Sequence, residues 1–250
     1  MNFVNVDIRE GVAKIFLNRP KVNAINGRVL NELAQCFDEI RRDDSAKALI
    51  LTGEGSFFSF GFDVPELYNY KKEDFTEFMF NFSDMLRNVF LFPKPVLAAL
   101  NGHTIAGGCI LALACDYRLM VAEKAKISLN EITFGSTLFS SAVEMLRFLV
   151  GSKNASTILY SGRMYSADEA HRLGLIDYAV SRDELLSSAR SIAEDHINKD
   201  TLGFKGIKSL LRNRVADYIK DSEKDSILEF VNIWYSESVR TRLRKIVIKD

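Results

Sequence analysis

The chain has 250 residues, of which 47% are hydrophobic and 26% charged, with only 14 glycines and 4 prolines. This composition is typical of a globular protein and excludes collagen-like repeats, a disordered chain and a low-complexity scaffold. The 33 basic residues equal the 33 acidic residues in number. The net charge therefore gives no indication of general binding to nucleic acid or to an anionic membrane surface, and we expect neither partner.

The cysteines and the N-terminal residues bear on where the protein works. The three cysteines are odd in number and show no CxxC spacing, which is typical of reduced thiols inside a cell. The first ten residues carry acids where a signal peptide would carry bases. No run of 18 apolar residues occurs, so no transmembrane helix is expected. These features predict a cytoplasmic protein.

The first half of the sequence alternates between strand-like and helix-like segments. Short apolar runs predict strands, whereas apolar residues three or four positions apart predict helices. The predicted strands are Phe3–Ile8, Val12–Leu17, Ala48–Thr52, Phe57–Phe60, Pro95–Leu100, Tyr117–Val121 and Ala125–Leu129. The predicted helices between them are Asn26–Asp43, Phe75–Phe92 and Gly107–Cys115. This alternation predicts an α/β fold with a largely parallel sheet.

The last third of the sequence is predicted to be helical. From about Leu138 the pattern is mostly helical, and the long amphipathic segments are Arg182–Lys199, Thr201–Arg214 and Lys220–Ile246. No linker rich in proline, glycine or serine separates this region from the rest. We therefore expect a core over residues 1–195, and a helical region over residues 196–250 that packs on the core or on a neighbouring subunit.

Two glycine turns each come between a strand and the start of a helix. The first contains Gly61 and is followed by Asp63 and Glu66, whose spacing matches a helix capping box. The second contains Gly107 and Gly108. The starts of helices leave backbone N–H groups unpaired, and two facing starts can hold a developing oxygen anion. Each is alternatively a plain turn, and neither has the GxGxxG or Walker pattern of a dinucleotide or phosphate site.

The candidate acid–base groups are few. Glu131 has apolar and uncharged neighbours, which suits a partly desolvated base, although a surface loop acid fits the same pattern. His103 is a candidate base or a packed structural residue, whereas His171 and His196 lie on charged helices and are expected to be solvated. No histidine has metal-ligand spacing to a cysteine or an acid, so no metal site is expected. No GxSxG motif supports a serine hydrolase.

Seven motifs together resemble the crotonase (enoyl-CoA hydratase/isomerase) superfamily in order and spacing. They are Asn18–Ala24, Leu49–Gly53, Phe58–Asp63, Lys94–Gly102, Ala106–Cys109, Leu113–Asp116 and Ala167–Asp177. The resemblance implies a spiral of repeated strand–strand–helix units, with C-terminal helices that pack homotrimers or dimers of trimers. It also implies an acyl-CoA thioester substrate, with no separate cofactor because CoA is part of the substrate.

The resemblance also implies roles for particular residues. The thioester oxygen would lie between the backbone N–H groups of Phe62 and Gly107. The CoA moiety would run along a group of residues near the two loops, which are Lys21, Val22, Ala24, Ser59, Gly61 and Asp63. The acyl chain would contact Ile110, Phe134, Leu138 and Phe139.

The sequence departs from the hydratase pattern at one catalytic position. Hydratases of this family use two glutamates, and the first of these positions is Ile110 here, whereas the second aligns with Glu131. A single glutamate with the Leu-Asn-Glu segment resembles the Δ3,Δ2-enoyl-CoA isomerase branch. We therefore expect Glu131 to move a proton from C2 to C4 of a 3-enoyl-CoA. The alternatives are a hydratase, a decarboxylase of the same fold, and a non-catalytic acyl-CoA-binding subunit.

Overall fold

The structure is a computed structural model that describes residues 2–248. Within this range the strands β1 to β9 are, in chain order, Val4–Arg9, Val12–Leu17, Ala48–Gly53, Phe57–Ser59, Val96–Leu100, His103–Ile105, Tyr117–Val121, Ile127–Ser128 and Tyr178–Val180. The helices α1 to α9 are Gly27–Arg42, Val64–Leu67, Lys72–Phe90, Gly107–Ala114, Ser140–Ser161, Ala167–Arg172, Leu185–Ile197, Thr201–Trp234 and Glu237–Leu243. A 3-10 helix, Glu131–Phe134, lies between β8 and α5.

The strands form two sheets. The larger sheet has the order β1-β2-β3-β5-β7-β9, in which β1 and β2 are antiparallel and every other pair is parallel. The central strands β3 and β5 are buried along their whole length, as expected for continuous apolar strands covered on both faces. The smaller sheet has the order β4-β6-β8 and is parallel throughout.

From β3 onward, the two strands of each successive pair lie in different sheets. β3 and β4 precede α2 and α3, β5 and β6 precede α4, and β7 and β8 precede the 3-10 helix and α5. In each pair the first strand joins the larger sheet and the second joins the smaller one. The predicted α/β fold with repeated strand–strand–helix units is confirmed. Because β4, β6 and β8 are parallel neighbours, the segments that follow them meet at one edge of the smaller sheet.

The C-terminal helices cover the core. α7 packs against β3, β5 and β7, and α8 packs against α3 and α5. The predicted division after residue 195 falls within α7, and the separation into a core and a helical region remains a prediction. Among residues 2–248, no helix combines the length and the apolar character needed to cross a bilayer.

Several sequence-based expectations for the C-terminal third were wrong. The predicted helices Thr201–Arg214 and Lys220–Ile246 are one continuous helix up to Trp234, followed by the short α9. The buried Ala216 and Ile219 continue the apolar stripe between them, and no glycine or proline interrupts it. The strand β9 was also not predicted. It adds a sixth strand to the larger sheet by pairing with β7.

One further expectation was incomplete and another was wrong. The short strand β6, which follows the Asn101-Gly102 turn, was not predicted, although it forms the centre of the smaller sheet. His196 was expected to be solvated, but its ring packs 5.3 Å from Tyr117 and 5.4 Å from Phe204 between ring centroids. Its Nε2 lies 3.1 Å from the Tyr117 hydroxyl, because residues of β7 and α8 cover this face of α7.

Candidate active site

Both glycine turns lie at the same edge of the smaller sheet and touch one another. Gly61 follows β4 with a φ of +91°, a conformation that favours glycine. A Cβ at this position would lie 2.7 Å from the Ile105 carbonyl oxygen and 2.9 Å from the Gly107 nitrogen. The Gly61 carbonyl accepts a hydrogen bond of 2.7 Å from the Ile25 amide, which fixes the loop. Only a residue without a side chain allows this close approach.

The amides of Phe62 and Gly107 are neighbours and free to donate. Gly107 is the first residue of α4, so its N–H has no partner within the helix. Within residues 2–248, neither amide donates a hydrogen bond. A Cβ on Gly107 would lie 3.1 Å from the Phe62 ring, which shows how closely the two residues approach. The turns thus provide two adjacent N–H groups next to the positive end of a helix dipole.

Glu131 is buried at the start of the 3-10 helix that follows β8. Its side chain is 6% exposed, and its Oε2 has no hydrogen-bond partner within the described residues. Burial raises the pKa of Glu131 from its usual value of 4.5 to about 7, because desolvation disfavours the charged carboxylate. The alternative of a surface loop acid is therefore wrong. A carboxyl group with this pKa suits proton transfer at neutral pH.

A cavity of about 310 Å³ brings the predicted residues together. It is lined by Phe60, Phe62, Val64, Ile105, Ala106, Ile110, Asn130, Glu131, Thr133, Phe134, Leu138, Phe139, Phe230, Trp234 and Ile246. Of the predicted site residues, the lining includes Glu131, Phe62 and all four of the acyl-contact residues. Gly107 adjoins it through Ala106. Among the described residues that line the cavity, Glu131 is the only one with an ionisable side chain, and most of the others are apolar or aromatic.

Aromatic rings from several elements form one wall of the cavity. Phe62, in the first glycine turn, packs edge-to-face on Phe82 with 4.9 Å between ring centroids. Phe139, just before α5, packs edge-to-face on Phe82 and on Phe230 at 6.2 Å and 5.7 Å. Edge-to-face contacts of this kind fix ring positions as well as bury apolar area. The aromatic rings of this wall therefore belong to the packed hydrophobic core of the protein.

Three lining residues from the C-terminal part were missed by sequence reasoning. Phe230 and Trp234 lie on α8, and Ile246 follows α9. They are about 100 residues away from Glu131 in the sequence, and the pattern of α8 gives no sign of which face meets the cavity. Asn130, next to Glu131, was also missed as a lining residue. Its position beside the predicted base was the one available signal.

The residues expected along the CoA path do not line this cavity. Lys21 is exposed, Val22 is half-buried and Ala24 is buried. The Ser59 hydroxyl donates 2.7 Å to the Asn23 carbonyl and accepts from the Gly61 amide at 3.1 Å, so this side chain holds the turn. The expectation that this group follows the CoA moiety remains a prediction.

The Asp63 side chain is held by local contacts. Its carboxylate accepts from the Glu66 amide at 3.1 Å, which caps α2, and it forms an ion pair with Arg19. The side chain is 5% exposed, and local structure occupies it fully. The expected capping box is only half formed, because the Glu66 side chain accepts from Asn26 at 2.7 Å and does not return to the Asp63 amide.

The other candidate groups are placed outside the cavity lining. The half-buried His103 ring packs 5.1 Å from Phe57, and burial lowers its pKa. The thiol of Cys109 is fully buried, and desolvation raises its pKa strongly, which leaves it inert as a nucleophile. In the part of the chain that the structure describes, no three His, Cys, Asp or Glu side chains cluster as metal ligands would.

Known proteins resemble this chain in sequence and in fold. Residues 7–237 match a family model described as enoyl-CoA hydratase/isomerase. A probable enoyl-CoA hydratase of Bacillus subtilis is 30% identical over 252 residues, which covers 100% of this chain and 97% of that protein. The mitochondrial enoyl-CoA delta isomerase 1 of Mus musculus is 29% identical and covers 96% of this chain and 83% of that protein.

A solved structure has the same fold. The crystal structure of human mitochondrial delta3-delta2-enoyl-CoA isomerase superposes with a TM-score of 0.92, at 24% sequence identity, and covers 97% of this chain and 96% of that chain. Relatives named as hydratases and as isomerases are about equally similar to this chain. The choice between the two activities therefore depends on the residues in the cavity.

Proposed function

The chain belongs to the enoyl-CoA hydratase/isomerase family, and from that premise we propose that it isomerises a 3-enoyl-CoA to the 2-trans-enoyl-CoA. The observation that carries the proposal is that Glu131 is the only ionisable side chain lining the cavity within residues 2–248. Hydration needs one group to activate water and another to manage the α-proton. A shift of a double bond needs one group that removes a proton and returns it.

The proposed mechanism uses three groups at the edge of the smaller sheet. The Glu131 carboxylate removes a proton from C2, and the negative charge moves to the thioester oxygen. The amides of Phe62 and Gly107 donate hydrogen bonds to this oxygen and stabilise the dienolate. The protonated Glu131 then delivers the proton to C4, so the carboxylate is restored and the double bond lies between C2 and C3.

The cavity walls support isomerisation over hydration. Ile110, which is 1% exposed, occupies the position where hydratases of this family carry a second glutamate. Its side chain can neither activate water nor hold it by a hydrogen bond. Phe134, Leu138 and Phe139 add further apolar surface, and an apolar site excludes water from the dienolate. Hydratase activity is the second candidate, since relatives with that name are equally similar.

Substitution of Glu131 tests the proposal. We expect Glu131→Gln to lower the rate of isomerisation of cis-3-hexenoyl-CoA by about 10²–10⁴-fold, because general-base transfer is lost. The matched control is Glu144→Gln, which removes a half-buried carboxylate that lies outside the cavity lining and pairs with Arg147 at 2.7 Å, and it leaves the rate unchanged. Near-full activity of Glu131→Gln would exclude Glu131 as the base.

Product analysis separates the remaining alternatives. An isomerase converts 3-hexenoyl-CoA and leaves crotonyl-CoA unhydrated, whereas a hydratase adds water to crotonyl-CoA. A decarboxylase releases carbon dioxide from a 3-methylglutaconyl-type thioester. A non-catalytic acyl-CoA-binding subunit binds each thioester without turnover, and Glu131→Gln has no effect on it.

The assembly and location of the protein are further proposals. We propose a homotrimer or a dimer of trimers, and a cytoplasmic location. Large apolar side chains between residues 202 and 218 of α8 are exposed and available for contact with another subunit; they are Leu202, Ile207, Leu210, Leu211 and Tyr218. Light scattering of the purified protein measures the oligomeric state, and a monomeric mass would contradict the proposed trimer.

A further inference from the structure

The cavity of about 310 Å³ that Glu131 lines is called the acyl cavity from this point on. A second cavity, of about 200 Å³, reaches the side chain of Glu131 from outside the acyl cavity. It lies between the 3-10 helix and α5 and is named the rear chamber here. Its lining consists of Leu129, Glu131, Ile132, Ser136, Thr137, Leu138, Val143, Leu159 and Tyr160. Glu131 and Leu138 also line the acyl cavity, so these two side chains stand between the two spaces.

Two buried polar atoms on the lining residues have no partner in the described part of the chain. They are Oε2 of Glu131 and Oγ of Ser136, on side chains that are 6% and 8% exposed. Leaving a buried polar atom unpaired costs about 1–3 kcal/mol, and native proteins satisfy such atoms with ordered water where space allows. The lining combines aliphatic side chains with the polar groups of Glu131, Ser136, Thr137 and Tyr160, and a chamber of this volume with these polar groups has room for several waters.

The rear chamber extends to the protein surface. Two of its lining residues, Ile132 and Tyr160, are 48% and 78% exposed. Water at this rim is continuous with bulk solvent. In contrast, the acyl cavity next to Glu131 is walled mainly by apolar and aromatic side chains, so bound substrate displaces water there without closing the rear chamber.

We propose that water in the rear chamber exchanges protons between Glu131 and bulk solvent while the acyl chain is bound. The inference rests on the proposed function. When the C2–H bond breaks, the proton forms an O–H bond on Glu131. Before that proton reaches C4, the carboxyl group passes it to chamber water and takes another proton from the same water. One proton leaves and one arrives, so the carboxyl group stays neutral and the reaction itself is unchanged.

Isomerisation in D₂O under single-turnover conditions tests this route. We expect the product of the wild-type enzyme to carry deuterium at C4, as measured by mass spectrometry and NMR. Leu159→Phe fills the rear chamber from α5, so the product should lose most of this deuterium and retain the proton removed from C2. The matched control is Leu149→Phe, the same substitution in the segment of α5 that precedes the non-helical Gly151, at a residue that lines neither cavity. It should leave deuterium uptake at the wild-type level.

Two results of the turnover experiment would overturn the inference. One is retention of protium at C4 by the wild-type enzyme, and the other is undiminished deuterium uptake by Leu159→Phe. A high-resolution crystal structure of the free enzyme gives a measurement that needs no turnover. Ordered water within hydrogen-bond distance of Glu131 Oε2 and Ser136 Oγ supports the inference, and a dry chamber contradicts it. Absence of isomerisation by the wild-type enzyme counts against the proposed function alone.

Discussion

The ionisation of Glu131 depends on where the fold places its carboxyl group. Desolvation raises its pKa to about 7, and no other described side chain lining the acyl cavity carries a charge that would oppose this effect. A carboxylate in water with a pKa near 4.5 is a weak base at neutral pH. Burial therefore improves the basicity of Glu131 at a cost in stability when the group is charged.

The first prediction concerns the pH dependence of activity. Since the base must be ionised to take the C2 proton, kcat/KM should rise about tenfold per pH unit below pH 7 and level off above it. The measurement is a pH–rate profile with a 3-enoyl-CoA, with Glu144→Gln as the control that keeps the same midpoint. A midpoint near pH 4.5 would contradict the burial of the reacting carboxylate.

The second prediction concerns the pH dependence of stability. The pKa of Glu131 is raised in the folded state, so the folded protein binds more protons than the unfolded chain between pH 4.5 and about 7. The contribution of this group to stability therefore falls as the pH rises through that window. Relative to the wild type, Glu131→Gln should gain on the order of 3 kcal/mol in the free energy of unfolding between pH 5 and pH 8. Urea unfolding of both proteins at pH 5 and pH 8 measures this change. If the difference in free energy of unfolding between Glu131→Gln and the wild type is the same at both pH values, the prediction is refuted.

Individual site residues differ in how far the sequence predicted them. Glu131 and Ile110 were predicted because each occupies a position in a short motif whose chemistry is local. Trp234 and Ile246 were not predicted, because they reach the cavity through the packing of α8 and α9 on distant elements. His196 was misjudged for the same reason, since the charged residues around it on α7 do not reveal the tertiary contact with Tyr117.

At the level of elements, the loop after β4 is under the tightest steric constraint in the site. Gly61 has a φ of +91°, and a Cβ would lie 2.9 Å from the Gly107 nitrogen. This nitrogen is one of the two donors proposed for the thioester oxygen. A side chain at residue 61 would therefore disturb both the loop and the donors.

The third prediction is that Gly61→Ala loses isomerase activity and stability. Backbone strain at a positive φ costs about 1–3 kcal/mol, and the clash with backbone atoms adds to it. Gly55→Ala is a matched control, because Gly55 has a φ of +79° but a Cβ there would meet no described atom within 4 Å. Gly55→Ala should lower the free energy of unfolding only by the cost of the backbone strain, and it should retain its activity. Urea unfolding and turnover of both variants provide the test, and equal activity of the two would argue against the close approach.

The pattern of the sequence predicted some elements well and others poorly. The predicted helix Asn26–Asp43 corresponds to α1, whose first turn is capped by the Asn26 side chain through a 3.0 Å bond from the Val29 amide. Such caps are local signals. In contrast, β6 and β9 have three residues each, and strands this short owe their structure to pairing with neighbours and not to their own pattern.

At the scale of the whole molecule, one buried ion cluster fastens α8 to the core. The Asp116 carboxylate accepts from Lys208 at 2.7 Å and lies 3.0 Å from Arg212. The same carboxylate accepts from the Val96 amide at 2.8 Å. All three charged side chains are less than 10% exposed.

The fourth prediction is that Asp116→Asn destabilises the protein. Removing one partner of a buried ion pair leaves uncompensated charge and typically costs about 3–5 kcal/mol. Asp84→Asn is the control, because Asp84 is 66% exposed and pairs with Arg87 at the surface, where a pair contributes about 0–1 kcal/mol. Urea unfolding of both variants measures the difference. Similar free energies of unfolding for the two variants would contradict the anchoring role.

The order in which the chain contributes the residues of the cavity determines when the cavity forms during synthesis. Each of three successive turns of the spiral contributes one chemical group, Phe62, Gly107 and then Glu131, and the cavity is closed only by residues 230–246 of the C-terminal part. We therefore expect the enclosed cavity to form only after nearly the entire polypeptide has left the ribosome, and a protein cut short before Phe230 would lack these lining residues.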